Sequence, residues 1–230
     1  MIIAMDGPAG TGKSTVASII AKKLNITYLN SGSFYRALTL ALLDAGVNLS
    51  DEAEIISFCG KQRLEYKNSR LILNGTDVED KLHDDNVSKN VAQISAVVPV
   101  RHLVNERMRE ITESLDIVCE GRDMTTVVFP NADYKFFLDA SLDVQAQRRF
   151  EQGVSNMSLE EIKEAIRRRD EIDRNKAEGA LKKAPDALYI DTSCLTIDNV
   201  CEIILNQIHR KGFINGRNGS GKGKIPELQG

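Results

Sequence analysis

The chain of 230 residues contains no tryptophan, and aromatic residues make up only 5% of it. Proteins that grip single-stranded nucleic acid stack bases on aromatic platforms in a basic field. With 30 basic against 33 acidic side chains and a net charge of −3, the chain has neither, so no nucleic-acid partner is expected. Histidine is scarce, and His83, His102 and His209 are too far apart for metal-ligand spacing. Cys59, Cys119, Cys194 and Cys201 form no CxxC pair and read as free thiols of a reducing compartment. No apolar run approaches the length of a membrane span, and the basic-then-apolar start of a signal peptide is missing. These absences lead to the expectation of a cytoplasmic protein with no membrane partner. The 42% hydrophobic content suits a globular chain, and the length suits one α/β domain with small insertions.

What is present is concentrated at the start. The apolar run Ile2 to Met5 stops at Asp6 and is followed by Gly7-Pro8-Ala9-Gly10-Thr11-Gly12-Lys13-Ser14-Thr15 and then an apolar-periodic helix. Gly7, Gly12, Lys13 and Ser14 fit the phosphate-binding pattern G-x-x-x-x-G-K-[ST] in its strand–loop–helix setting. Glycines let successive N–H groups turn inward as a nest for phosphate oxygens, and the helix adds its positive dipole end. The pattern assigns Lys13 to the β- and γ-phosphates and Ser14 to Mg²⁺.

The spacing predicts a helix through Val16, Ile19, Ile20 and Leu24, a strand at Thr27 to Asn30, and a helix capped by Ser33. Arg36, in the first turn of that helix, opposes the dipole and calls for an anion nearby. Gly46 to Asp51 read as a loop, and Leu64 to Val78 alternate as two strands around a polar turn. Helical periodicity returns from Ser88 to Leu115 with a break at Pro99. A buried strand at Ile117 to Cys119 leads into Glu120-Gly121-Arg122-Asp123, where parallel sheets collect ligands. The strand Asp133 to Ala140 ends at Asp139, which serves either the structure or a metal or water. Arg148 and Arg149 follow on a helix from Leu142. After a loop at 153–158, Ser158 opens a basic helix with a capping box. Arg169, Asp173 and Lys176 share one face of it, while Arg167, Arg168 and Arg174 point elsewhere. A last strand (Ala187 to Ser193) and an amphipathic helix precede a Gly-rich tail from Gly212. The order implies α/β architecture, a parallel sheet flanked by helices. Its boundaries are a core over 1–48 and 91–212, an inserted antiparallel β subdomain over 49–90, a mobile helical lid over 151–176 and a disordered tail over 213–230.

Several separated runs resemble the nucleoside monophosphate kinases, and among them the bacterial cytidylate kinases: DGPAGTGKST, NSGSFYRAL, VPVR, EGRDMTTVVFPNA, LDAS, RRRDEIDRN and DALYIDTS. The resemblance covers about Met1 to Arg210. It implies a three-layer α/β/α P-loop kinase core, transfer of the ATP γ-phosphoryl group to CMP or dCMP with Mg²⁺, and a monomer. On that resemblance Gly7 to Thr15 cradle ATP, and Arg148 and Arg149 lie near the donor. Arg36 and Arg122 hold the acceptor phosphate, Arg101 reads the base, and Ser31, Arg169 and Asp173 hold the sugar. Asp123 stands beside base and phosphate, and Lys176 completes the basic helix. The chain departs from the family pattern at Asn30 (for Asp), Ala92 (for Ser), Thr125 (for Gly) and Lys176 (for Arg). A shikimate- or dephospho-CoA-type kinase is the second reading. A GTPase-like switch would require N-K-x-D, which Asn175-Lys176-Ala177-Glu178 does not complete.

Overall fold

The computed structural model describes residues 1–67, 70–113, 115–153 and 157–215. The first apolar run, β1 (Ile2–Asp6), is followed by α1 (Lys13–Leu24), which begins at Gly12 in the left-handed region (φ 87°) and ends at Asn25 (φ 53°). Next come β2 (Thr27–Asn30) and α2 (Ser31–Asp44). The cap of α2 is Asn30, not the expected Ser33: its side-chain oxygen accepts from the Gly32 N–H at 2.8 Å, and Ser33 is buried inside the helix. An Asn in place of Asp therefore keeps a cap, an interaction of about 1 kcal/mol.

The insertion holds more than a hairpin. It opens with a helix absent from the sequence reading, α3 (Glu52–Cys59), capped by Asp51. Three antiparallel strands follow: β3 (Leu64–Lys67), β4 (Arg70–Leu73) and β5 (Thr76–Asp77). The expected polar turn at 68–69 lies outside the described residues. The second turn is Asn74-Gly75, with φ of 51° and 83°, the left-handed pair that a two-residue hairpin demands. Then α4 (Asp85–Ile94) runs across the expected boundary at residue 90. Pro99 sits in the first turn of α5 (Val98–Thr112), where its missing N–H costs nothing.

The core resumes with β6 (Ile117–Gly121), a single wide turn at Met124–Val128, β7 (Tyr134–Asp139), α6 (Leu142–Glu151) and α7 (Leu159–Arg174). The capping box of α7 is present, with Ser158 N–H donating to Glu161 at 2.8 Å. Last are β8 (Leu188–Asp191) and α8 (Ile197–Asn215), which runs past the Gly212 where the sequence pattern breaks. Residues 216–230 of the expected tail lie outside the described residues. No described helix is long and apolar enough to cross a membrane.

Five strands form one parallel sheet in the order β2-β6-β1-β7-β8. Strand alternation divides the interior in two. Ala4, Leu29, Ile117 and Cys119 face a core with α2 and α5, while Ile3, Met5, Val118, Phe136 and Leu138 face one with α1 and α8. Leu64, Leu71 and Leu73 of the small sheet join the first of these cores, so the insertion shares its hydrophobic interior with the main domain.

Register then places the site. β1 pairs with β6 so that Met5 lies opposite Glu120 and Asp6 opposite Gly121. The fully buried Asp6 carboxylate accepts from the Met124 N–H (2.8 Å), the Thr125 N–H (2.7 Å) and the Thr125 hydroxyl (2.6 Å). Thr125, a departure from the family pattern, thus supplies a third donor to the carboxylate that ends β1. Asp6→Asn turns an accepting oxygen into an amide donor facing these donors. Urea unfolding should show a loss of about 2–3 kcal/mol; an unchanged midpoint would mean that Asp6 does not hold this turn.

Candidate active site

The phosphate loop emerges between β1 and α1 under tight steric control. Gly7 (φ 151°) passes so close to β7 that a Cβ there would lie 1.9 Å from the Leu138 carbonyl oxygen. Lys13 is buried and folds back into its own loop, donating to Pro8 O at 2.5 Å and Thr11 Oγ1 at 3.3 Å. Burial, then the charge of Arg122, lowers its pKa to about 7, against the pull of Glu120, Asp6 and Asp170. The Ser14 hydroxyl donates to Glu120 Oε1 at 2.7 Å, and Tyr28 donates to the same oxygen at 3.2 Å.

Two further elements are fastened to the loop. On α6, Arg148 clasps Thr192 through its hydroxyl (3.0 Å) and carbonyl (2.6 Å), and the Thr192 hydroxyl reaches Thr11 O at 3.2 Å. On α7, Asp170 accepts from the Ala9 N–H at 3.1 Å. Ala9 also packs against the small core of Ala146, Ile162 and Ile166 between α6 and α7. The basic helix is therefore bound directly to the loop.

Its inner face and the loop that follows it, which starts after Arg174 and so holds Lys176 outside the helix, carry a chain of alternating charges. Asp173 takes Arg122 Nε at 2.8 Å on one oxygen and Lys176 Nζ at 2.8 Å on the other, and Lys176 reaches Ser95 Oγ at 3.3 Å. Burial would raise the Asp173 carboxyl, but Arg122 and Lys176 outweigh it and hold it below the usual range. Arg169 is exposed where it lines the cleft between α4 and α7, and its pKa is lowered to about 10 by desolvation and then by Arg122. The outer arginines are spent on Glu164, which Arg167 and Arg168 both contact.

Beside this chain lies a second pair. Arg101 and Asp123 bridge through Nη2 and Oδ2, each only 4% exposed. Arg101 also donates to Ser95 O at 2.9 Å and lies 5.7 Å above the Tyr35 ring. Removing one partner from so dry a pair costs about 3–5 kcal/mol. On α2, Arg36 donates to Leu82 O (3.0 Å) and Ser88 Oγ (2.9 Å) of the insertion. Ser31 lies against β6, its Oγ 2.5 Å from where a Gly121 Cβ would stand. Between α4 and α7 opens a cleft of about 620 Å³ lined by Ser88, Val91, Ala92, Arg168, Arg169 and Ile172.

The structure thus gathers Lys13, Ser14, Arg122, Asp123, Arg101, Arg169, Asp173 and Lys176 around the carboxyl ends of β1 and β6. It separates the two arginines expected together near the donor. Arg148 reaches the phosphate-loop side, whereas Arg149 is exposed on α6, bonded to Gln152, and its charge bears on Arg36 and His83. Asp139 accepts from the Ala140 N–H at 2.9 Å and the Tyr189 hydroxyl at 3.3 Å. Glu120, Ser95, Asp170 and Thr192 escaped the sequence reading. Only Glu120 carried a signal, an acidic residue at the end of the strand next to the loop; the others meet their partners across long stretches of chain.

Comparison with known proteins places the chain in a family. The cytidylate kinase family model matches residues 3–210. The chain belongs to the cytidylate kinase family. It is 40% identical over 212 residues to the cytidylate kinase of Clostridioides difficile, covering 91% of this chain and 98% of that one. The cytidylate kinase of Bacillus licheniformis is 40% identical over 219 residues, with 92% and 97% covered. More remotely, shikimate kinase from Acinetobacter baumannii superposes with a TM-score of 0.45 at 15% identity, over 91% and 93% of the two chains.

Membership makes the chain a nucleoside monophosphate kinase, which uses ATP as phosphoryl donor, and gives Lys13 a titration to test. With a pKa near 7 in the free protein, the amine is mostly neutral at pH 8. A bound triphosphate would favour the ammonium form and raise that pKa, so ATP binding at pH 8 should take up close to one proton. Calorimetry in buffers of differing ionisation enthalpy measures this, and Lys13→Met should abolish the uptake. Uptake that survived the substitution would place the proton elsewhere.

Proposed function

We infer that this chain transfers the γ-phosphoryl group of ATP to CMP or dCMP, giving ADP and CDP or dCDP, as a cytoplasmic monomer. The observation that supports it best is the run of contacts that ties the phosphate loop to the paired charges. The phosphate loop at one end and the paired charges Arg122–Asp173–Lys176 and Arg101–Asp123 at the other are joined by α7, whose Asp170 is bonded to Ala9.

In this reading Gly7 to Thr15 hold the donor phosphates, and Lys13 leaves its bonds to Pro8 and Thr11 to follow the transferring group. Arg36 and Arg122 bind the acceptor phosphate, and Arg169, which also reaches the acceptor sugar, closes over the reacting oxygens. Ser31 and Asp173 hold the acceptor sugar; Arg101, Asp123 and Lys176 lie toward the base. Phosphoryl transfer needs little covalent help from the protein, so catalysis rests on alignment and charge neutralisation. α7 acts as the moving lid that excludes water. Mg²⁺ fits the donor set at the loop, a hydroxyl and a carboxylate 2.7 Å apart on Ser14 and Glu120, both hard oxygen ligands. When bound there it would offset negative charge on the phosphates.

A coupled assay with CMP, dCMP, UMP and AMP tests the assignment. Turnover is expected with CMP and dCMP, and activity with UMP or AMP alone would overturn it. Lys13→Ala should lower kcat at least about a hundredfold with every acceptor.

A further inference from the structure

The loop between α7 and β8 crosses directly over the Arg101–Asp123 pair. Gly179 is the point of contact. It is buried, adopts φ 66°, and lies so close that a Cβ there would sit 1.8 Å from Arg101 Nη2 and 2.4 Å from Asp123 Oδ2. No other described glycine would meet a charged side chain in this way. Bare backbone is therefore the cover of the ion pair, and it leaves no room for even a methyl group.

The loop is fastened on both sides of that contact. Before it, Lys176 bonds Ser95 at 3.3 Å and Glu178 Oε2 lies 2.7 Å from Nε2 of His102, the residue next to Arg101. After it, the Leu181 N–H donates to Asp173 O at 2.8 Å, and the Leu181 side chain is buried with Phe137, Ala184 and Ala187. From beneath, Ser95 O and the Tyr35 ring hold the guanidinium. Arg101 is thus enclosed above by Gly179 and below by α2 and the end of α4.

We propose that Gly179 is a positioning residue for the acceptor site, its side-chain-free backbone pressing Arg101 and Asp123 into the arrangement that recognises the acceptor nucleotide. This rests on the reading that Arg101 and Asp123 face the acceptor. A pair with fixed geometry presents its remaining hydrogen-bonding positions in one direction, whereas a displaced guanidinium would present them elsewhere. Small displacements of positioning groups carry large penalties in turnover.

Gly46 supplies the control. It has the same φ of 66°, and a Cβ there would meet nothing within 4 Å. Gly46→Ala therefore measures the backbone strain of a side chain at this φ, and Gly179→Ala measures the same strain plus the clash with the pair. Relative to Gly46→Ala, Gly179→Ala is expected to raise the KM for CMP about tenfold or more while the KM for ATP stays within about twofold. Its melting temperature should also fall further than that of Gly46→Ala. In an Arg101→Ala background, where most of the clash is gone, that excess should shrink toward the Gly46→Ala value. An unchanged KM for CMP, equal rises in both KM values, or an excess that persists undiminished without Arg101 would each overturn the proposal. Should Gly179→Ala be too unstable for kinetics, the melting series with and without Arg101 decides alone. If the unaltered protein phosphorylated a different nucleotide, the acceptor assignment would fall, and the KM split would be read on that nucleotide instead.

Discussion

The arrangement depends on where one buried carboxylate sits. Asp6 ends the central strand and takes three donors from the turn after β6, locking the two strand ends side by side. Parallel strands can slip, and a slip of one residue exchanges the two faces of a strand. Here the polar lock and the apolar alternation agree. The register that buries Ile3 and Met5 on one side and Ala4 on the other also sets Asp6 opposite Gly121. The phosphate loop and the Glu120–Asp123 run then leave the sheet as neighbours.

Around this frame the charged groups occur in pairs whose members come from distant parts of the chain. Arg122 meets Asp173, Lys176 meets Ser95, Arg101 meets Asp123, and Asp170 meets Ala9. Arg122–Asp173 and Ala9–Asp170 join the β1–β6 end of the sheet to α7, Lys176–Ser95 joins the loop after α7 to the end of α4, and Arg101–Asp123 joins α5 to the turn after β6. An isolated buried charge would be prohibitive, and mutual pairing lets so many lie in one cleft. The same pairs give the cleft its chemistry, since a phosphate entering it would compete for arginines now held by carboxylates and carbonyls. Lys13 is buried and drawn back onto Pro8, its pKa lowered to about 7 chiefly by that burial.

The departures from the family pattern acquire physical meaning in this setting. Asn30 caps α2, Thr125 donates to Asp6, and Lys176 spans Asp173 and Ser95. Ala92 lines the cleft without a polar group of its own, while one turn further along α4 the Ser95 hydroxyl donates to its carbonyl at 3.0 Å and meets Lys176.

The sequence alone determined what short-range rules control. Glycine spacing before Lys13 marked the phosphate loop, the periods of 2 and 3.6 marked most strands and helices, and Ser158 with Glu161 marked the start of the basic helix. Spacing also placed Arg169 and Asp173 on one face, but α7 ends at Arg174, so Lys176 reaches Asp173 from the loop beyond the helix and not from a shared face. Where the reading failed, competing local signals were at work: Asn30 and Ser33 are both good caps, and the Asn74-Gly75 turn that adds β5 was passed over within a hairpin already assigned. Only the tertiary structure decided which charges pair. Arg148 and Arg149 are adjacent in sequence, yet one faces the phosphate loop and the other lies out on the helix surface, because successive helical residues diverge by about 100°. Gly179 is one of 16 glycines in the chain. Nothing local distinguishes it from Gly46, which has the same φ; what differs is the ion pair that folding brings beneath it from residues 101 and 123.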